Sequence, residues 1–238
     1  MQSNSVETVK KTSMKPNRKT PRDLPVTAYG MHENIDGDLV YDSPEELNQY
    51  LIREQGMAVR EFRGTCGLCS CANLLIMAGV KVTEGDMIAY AANTESEYGF
   101  REYLCTTGDV NPANNGGTSC RDRIEILNHF GLEAGNRKMA VDNNGKVTKE
   151  SIEALAQYVE SGRGVILPVR ASSLWGTSLE DDLHAVTVTS VKKSTDGKVL
   201  GFYICDTGDS GTQYYDVEDI CDAIVPGLPY NYTYAIIR

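Results

Sequence analysis

Three of the seven cysteines fall in one segment, Gly64-Thr65-Cys66-Gly67-Leu68-Cys69-Ser70-Cys71-Ala72-Asn73-Leu74-Leu75. A cysteine attacks carbon only as the thiolate. The N-terminus of a buried helix favours that form, because free N–H groups and the helix dipole stabilise negative charge. Thr65 precedes an apolar run from Leu68 to Met77, closed by Gly79, so the spacing predicts a buried helix beginning at or near Cys66. Gly67 leaves room for a substrate backbone, and the Cys66 N–H is a candidate oxyanion-hole donor. Cys69 and Cys71 lie within the apolar run and read as core residues. A metal site on Cys66, Cys69 and Cys71 lacks a second C-x-x-C pair or a tight Cys–His pair. A Cys66–Cys69 redox couple lacks the preceding βα context.

A cysteine nucleophile needs a base, and the chain offers His32, His129 and His184. His32 lies in a hinge-like stretch and reads as solvated. His129 comes late in a predicted helix, just before Phe130-Gly131, where it suits the helix dipole. His184 leads into the strand Ala185-Val186-Thr187-Val188. With Asp206 it brackets a hairpin turned at Ser194-Thr195-Asp196-Gly197. Pairing Lys192 with Lys198 would set Val186 opposite Ile204 and His184 opposite Asp206. Asp206 could then accept one imidazole N–H and leave the other nitrogen to Cys66. A one-residue slip would put the two side chains on opposite faces.

The remaining elements must hold these groups. Residues 1–24 are polar and carry Lys10, Lys11, Lys15, Arg18, Lys19 and Arg22 against Glu7 and Asp23, a tail of +4 in a chain of −10. Residues 1–42 are expected to be a disordered basic tail and linker, with one domain over 43–238. Ser43, Pro44 and Glu46 predict a helix start, and Gly56 its end. Met57 to Phe62 reads as extended. Helices are expected from Thr83 to about Ala92, from Thr118 or Ser119 to Gly131, and from Thr148 to Gly162. Strands are expected at Gly164–Arg170, Ala185–Lys192, Val199–Cys205, Thr212–Val217 and Tyr232–Ile237. A helical first half and a β second half define an α+β domain, a helical layer against an antiparallel sheet.

The charge balance excludes some functions. Without its tail the chain carries −14, which disfavours nucleic acid and anionic membranes as partners. No run is apolar for long enough to span a bilayer, and no signal-peptide core is present. Export would therefore use a route that reads no such signal; otherwise the protein is expected in the cytoplasm. Seven cysteines, an odd and clustered set, do not read as a disulfide framework.

Taken together, Cys66-Gly67-x-x-Ser70-x-x-Asn73-x-Leu75, His184-Ala185-Val186-Thr187-Val188 and Gly201-Phe202-Tyr203-Ile204-x-Asp206-Thr207-Gly208 resemble the nucleophile, histidine and aspartate elements of C39-like, papain-fold cysteine peptidases. Gly116-Gly117-Thr118, followed by a helix and Gly131-Leu132, resembles their intervening element. The similarity spans about residues 45–238. It implies a papain-like fold and peptide hydrolysis through a thioester, with Cys66 as nucleophile, His184 as base and Asp206 as orienting carboxylate. No metal or cofactor is implied. More narrowly, the pattern resembles peptidase domains at the C-termini of bacterial polymorphic toxins. That implies a protein substrate in a target-cell cytoplasm and a cognate immunity protein. The glutamine that such enzymes usually place six residues before the nucleophile is Arg60 here, which makes Arg60 the second oxyanion-hole candidate. Gln55, the nearby glutamine, is expected to belong to the preceding helix. Cys69 is the fallback nucleophile, because Gly64 to Cys69 also resembles the papain motif. The run Glu180-Asp181-Asp182 reads as a solvated loop, or, near His184, could favour basic substrates. Alternatives are amidase, deamidase or transglutaminase chemistry, leader-peptide trimming, and a catalytically dead binding module.

Overall fold

The computed structural model describes residues 30–33, 37–42, 49–98, 101–177, 183–208, 211–224 and 231–237. The basic tail, the predicted helix start at Ser43-Pro44-Glu46 and the acidic run 180–182 lie outside them. In chain order the elements are β1 (Gly30–Glu33), β2 (Leu39–Asp42), α1 (Cys66–Met77), α2 (Glu84–Ala91), α3 (Cys120–His129), β3 (Ala134–Lys138), α4 (Lys149–Glu160), β4 (Arg163–Arg170), α5 (Ala171–Trp175), β5 (Leu183–Lys193), β6 (Val199–Asp206), β7 (Gly211–Asp216), α6 (Val217–Ala223) and β8 (Asn231–Ile236). A short 3-10 turn, Pro112–Asn114, precedes α3.

The described strands form one antiparallel sheet around β5. One edge of β5 pairs with β6, which continues to β7. The other edge pairs with β4 over Leu183–Val188 and with β2 over Ser190–Lys193. β4 leads on to β8 and β3. The architecture is α+β, as expected, with helices on both faces of the sheet rather than one. Ile166 and Ala185 belong to the core around α1, whereas Val165, Leu167, Val186 and Val188 belong to the core around α4. A strand buried on both faces loses its apolar–polar alternation, which explains the unbroken Val165-Ile166-Leu167 run.

Several local expectations need correction. Residues 30–33 and 39–42, read as linker, are strands, and Val40 is buried against the sheet. β3 was not anticipated. Residues 49–56, expected to be helical, form turns and bends, and Met57–Phe62 is not a strand. The five-residue hairpin loop is present one position later than expected, so Lys193 pairs with Val199. Single-residue bulges at Thr189 and Leu200 follow, and Val188, not Val186, faces Ile204. Relative to the expected pairing this is a shift of two residues. It preserves the face, so His184 and Asp206 still share one side and meet diagonally.

Helix α1 is buried along nearly its whole length, from Gly67 to Met77. Two polar side chains tie it to its surroundings. Ser70 Oγ donates to the Ala185 carbonyl at 3.0 Å, fixing the helix against the start of β5. Asn73 accepts from Ile52 N–H at 2.7 Å and donates to the Ile52 carbonyl at 3.0 Å. The irregular segment before the helix is thereby stitched to its middle, as buried polar groups require.

Candidate active site

Cys66 is the first residue of α1, partly exposed at the wall of a cleft of about 840 Å³. It is lined by Arg63, Gly64 and residues of the 113–123 segment together with Pro168, Ala171, Trp175 and residues 183–185. Thr65 occupies the helix cap position without capping by its side chain. Its hydroxyl is engaged instead by the Glu84 carboxylate. The first-turn N–H groups, which no intrahelical carbonyl satisfies, therefore keep their pull on the Cys66 sulfur.

His184, at the start of β5, is hydrogen-bonded through Nε2 to Asp206 Oδ1 at 2.7 Å. Its remaining nitrogen, Nδ1, is the one left for the hydrogen bond with Cys66. Asp206 is fully buried and accepts two further bonds, from Trp175 Nε1 at 2.9 Å and Gly208 N–H at 2.8 Å. Three donors around one buried carboxylate keep it ionised: burial works against the charge, but the bonds from His184, Gly208 and Trp175 hold its pKa below the usual carboxylate value. Burial also opposes the imidazolium of His184. The bonds to Asp206 and Cys66 outweigh it and raise His184 to about 10. Cys66 moves the opposite way. Burial opposes its thiolate, yet the His184 hydrogen bond and charge, the Ala185 backbone and the Arg123 guanidinium lower its pKa below the ordinary thiol value. Thiolate and imidazolium stabilise one another, the arrangement a cysteine nucleophile needs.

The other sequence candidates are placed differently. Cys69 lies one helical turn inward, with no exposed surface, beside Thr65 and Glu84. Burial and then the Glu84 charge push its thiol far up, and it does not line the cleft. Arg60 is exposed and does not line the cleft either. Gln55 does, from an irregular segment and not from a helix. Its Oε1 accepts from Thr207 Oγ1 at 3.0 Å and its Nε2 donates to the Arg63 carbonyl at 3.2 Å. These two bonds fix the amide orientation and use one of its two N–H groups. His129 stacks on Tyr90 at 3.8 Å, and His32 sits in β1 opposite Val40.

Several residues of the site carried no sequence motif. Glu84, 5% exposed, accepts from Gly56, Met57 and Ala58 N–H at 2.6, 3.0 and 2.9 Å, and so shapes the irregular approach to Cys66. Trp175 covers the His184–Asp206 pair, its ring 5.6 Å from the imidazole and packed over Gly208 so closely that a Cβ there would lie 2.6 Å away. Gly67 is required for a similar reason: a Cβ would stand 2.0 Å from Thr118 Oγ1. Among the described residues no group of three or more His, Cys, Asp or Glu side chains is placed to hold a metal ion. No described helix is long and apolar enough to cross a membrane.

Comparison with known proteins bears on this geometry at the level of the fold. The chain resembles the crystal structure of a Bacillus anthracis protein assigned as a C39-like peptidase, with a TM-score of 0.53 and 17% identity over 79% of this chain and 95% of that one. A looser likeness, with a TM-score of 0.42 and 14% identity, is to a double-glycine-motif protease of a transporter, over 76% of this chain and 89% of that one. In sequence it is 29% identical over 140 residues to uncharacterised proteins of Mycobacterium bovis and Mycobacterium tuberculosis, covering 53% of this chain. The chain spans 58% of the length of these curated relatives. No family model matches. The fold is therefore that of the papain-like cysteine peptidases, with C39-like peptidases among its structural neighbours.

Proposed function

We propose that this chain is a cysteine peptidase that hydrolyses a protein substrate through a thioester on Cys66. One observation carries the reading: a histidine bonded at one nitrogen to a buried carboxylate offers its other nitrogen to a cysteine at a helix N-terminus in an open cleft. In this reading the Cys66 proton passes to His184, and the thiolate attacks the scissile carbonyl. The Cys66 N–H and the free N–H of Gln55 stabilise the oxyanion. His184 then protonates the departing amine. Water, deprotonated by His184, attacks the thioester and releases the acyl group as a carboxylic acid, which restores the thiol. Asp206 holds the ring and its charge throughout. Amidase, deamidase or transglutaminase chemistry would use the same thioester and is separated from hydrolysis by the mass change of the target.

Alkylation of Cys66 by iodoacetamide, followed by mass spectrometry across pH, tests the reading. Fast labelling at neutral pH that disappears in Cys66→Ala, falls in His184→Ala and survives Cys69→Ala is expected. Slow labelling of every cysteine in the wild type would refute it and leave a scaffold used for binding.

We further propose, from the resemblance of the sequence motifs, that the domain is an interbacterial effector acting in a target-cell cytoplasm and neutralised by an immunity protein. Wild-type expression in a bacterial cytoplasm should then arrest growth, and Cys66→Ala should not. Equal growth with both would overturn the effector role without touching the peptidase reading.

A further inference from the structure

The described lining of the cleft is opposite in charge to the chain. The whole chain is −10, yet Arg63, Arg101, Arg121 and Arg123 line the cleft, with no aspartate or glutamate among its described lining residues. Arg121 and Arg123 stand on α3, Arg63 in the segment leading into α1, and Arg101 before the 3-10 turn. Arg63 N–H donates to the Pro112 carbonyl at 2.9 Å, the Arg101 guanidinium donates to the Gly117 carbonyl, and Arg123 Nη1 donates to Thr118 Oγ1 at 3.3 Å.

Arg123 is the informative member. It is only 4% exposed, and its guanidinium is held by hydroxyls and a thiol: Thr118 Oγ1, Thr233 Oγ1 at 3.3 Å and Cys120 Sγ at 2.9 Å. Among the described residues no carboxylate pairs with it. A buried cation without a counter-ion is unfavourable and projects its field into the adjacent space. Arg101 stands 3.6 Å from Asp122, so part of its charge is answered. Arg121 is exposed, its guanidinium 5.3 Å from the centre of the Tyr98 ring, which braces the side chain without neutralising it. Arg63 is exposed as well.

The direction of the reaction says which part of a substrate meets this wall. His184 must stand beside the leaving amine to protonate it, whereas the acyl portion stays on Cys66, whose sulfur lies within the field of Arg123. We infer that the cleft selects substrates with an aspartate or glutamate at one of the two residues preceding the scissile bond, its carboxylate held by Arg121 and Arg101 over the buried charge of Arg123. This rests on the peptidase reading above and supplies its substrate class. Arginine suits the task, since its planar fork binds a carboxylate through two parallel bonds. One sequence-based alternative is the reverse, a basic substrate drawn by Glu180-Asp181-Asp182, and the two are separable by experiment.

The test uses peptidyl acyloxymethyl ketones carrying Asp, Glu, Asn or Lys at the first or second residue before the warhead. The second-order rate of Cys66 labelling is measured for each, divided by the same variant's iodoacetamide rate. Hydrogen bonds to charged groups predict an advantage of about 10- to 100-fold for the acidic probe over its Asn counterpart. That advantage should shrink in high salt and fall at least about threefold in Arg121→Gln and further in Arg101→Gln/Arg121→Gln. Arg123→Gln should abolish it if that variant folds; the rim variants decide the matter if it does not. Equal Asp and Asn rates, a preference for Lys, or an advantage untouched in the double variant would overturn the inference while rapid iodoacetamide labelling of Cys66 leaves the peptidase reading standing. Absence of rapid labelling by iodoacetamide and by every probe would remove both.

Discussion

Replacing Asp206 by asparagine changes one charge and almost no volume, and its consequence can be worked from the site. In the wild type the carboxylate accepts from His184 Nε2, Trp175 Nε1 and Gly208 N–H. An opposite charge in contact moves a pKa by about 1–3 units, each unit about 1.4 kcal/mol. The ion pair and the neutral pair interconvert by one proton moving between Cys66 and His184. Weakening the imidazolium by that amount lowers the equilibrium constant for the ion pair about 10- to 1000-fold, and the neutral-pH reactivity of Cys66 falls with it once the neutral pair predominates. The new amide also places an NH2 where a donor already points, so one of the three bonds becomes a donor–donor contact. The assay is Cys66 alkylation by iodoacetamide as a function of pH, with thiolate absorbance as a second readout and thermal unfolding as a fold control. In the wild type the thiolate persists below the ordinary thiol value and the imidazolium persists to about 10, so reactivity should be flat across neutral pH. In Asp206→Asn it should climb with pH as for an ordinary thiol. A folded Asp206→Asn protein that labels within about twofold of wild type at neutral pH would refute the reasoning, because the carboxylate would then contribute nothing to the ion pair.

Other outcomes follow from the same contacts. Gln55→Ala should lower kcat/KM by about 10²- to 10³-fold, while iodoacetamide labelling, which forms no oxyanion, should change far less; parallel losses in both would assign Gln55 a structural role only. Gly67→Ala places a Cβ 2.0 Å from Thr118 Oγ1, and overpacking of this kind costs about 1–3 kcal/mol. Denaturant unfolding should show that loss, and Thr118→Ala should recover part of it. Glu84→Gln weakens a charge-assisted acceptor of three backbone N–H groups and should destabilise by about 1–3 kcal/mol. Burial raises the Glu84 pKa, but its bonds to Thr65, Gly56 and Ala58 bring it below the usual value. Its contribution is therefore present above the ordinary carboxylate pKa and lost as pH falls through the lowered one. The stability gap between wild type and Glu84→Gln should close in that acid window; a gap independent of pH would contradict it.

Much of the fold was legible where a local signal and tertiary packing agreed. Thr83 with Asp86 and Ser119 with Asp122 form full capping boxes, and the helices start where the caps stand. The strands β4, β5, β6 and β8 announced themselves through runs of Val, Ile and aromatic residues. β3 did not, because Ala134-Gly135-Asn136-Arg137-Lys138 is a strand by virtue of its partner β8 and not of its own composition. β1 and β2 were hidden by their brevity, four residues each. The hairpin loop stands one residue later than expected, which alone shifts the register by two; the bulges at Thr189 and Leu200, one on each strand, cancel, and the face was right.

Gln55 shows why part of the site escaped. Spacing pointed to Arg60, six residues before Cys66, whereas Gln55 stands eleven before it. The longer gap is accommodated because its residues are held from outside the segment. Thr207 pairs with Gln55 through both backbone and side chain, Asn73 fixes Ile52, and Glu84 gathers the N–H groups of Gly56 to Ala58. Asn73 and Glu84 did leave a trace in the sequence: an asparagine inside the apolar helix, and an acid in a helix's first turn that the structure buries. Buried polar side chains almost always serve a partner, and irregular backbone is the partner most in need of one. The segment 52–58 is such a backbone, with no ladder or helix of its own to satisfy it. With Gln55 as the proposed oxyanion donor, its place relative to Cys66 is set by the anchoring asparagine, carboxylate and threonine and not by a fixed interval in the sequence.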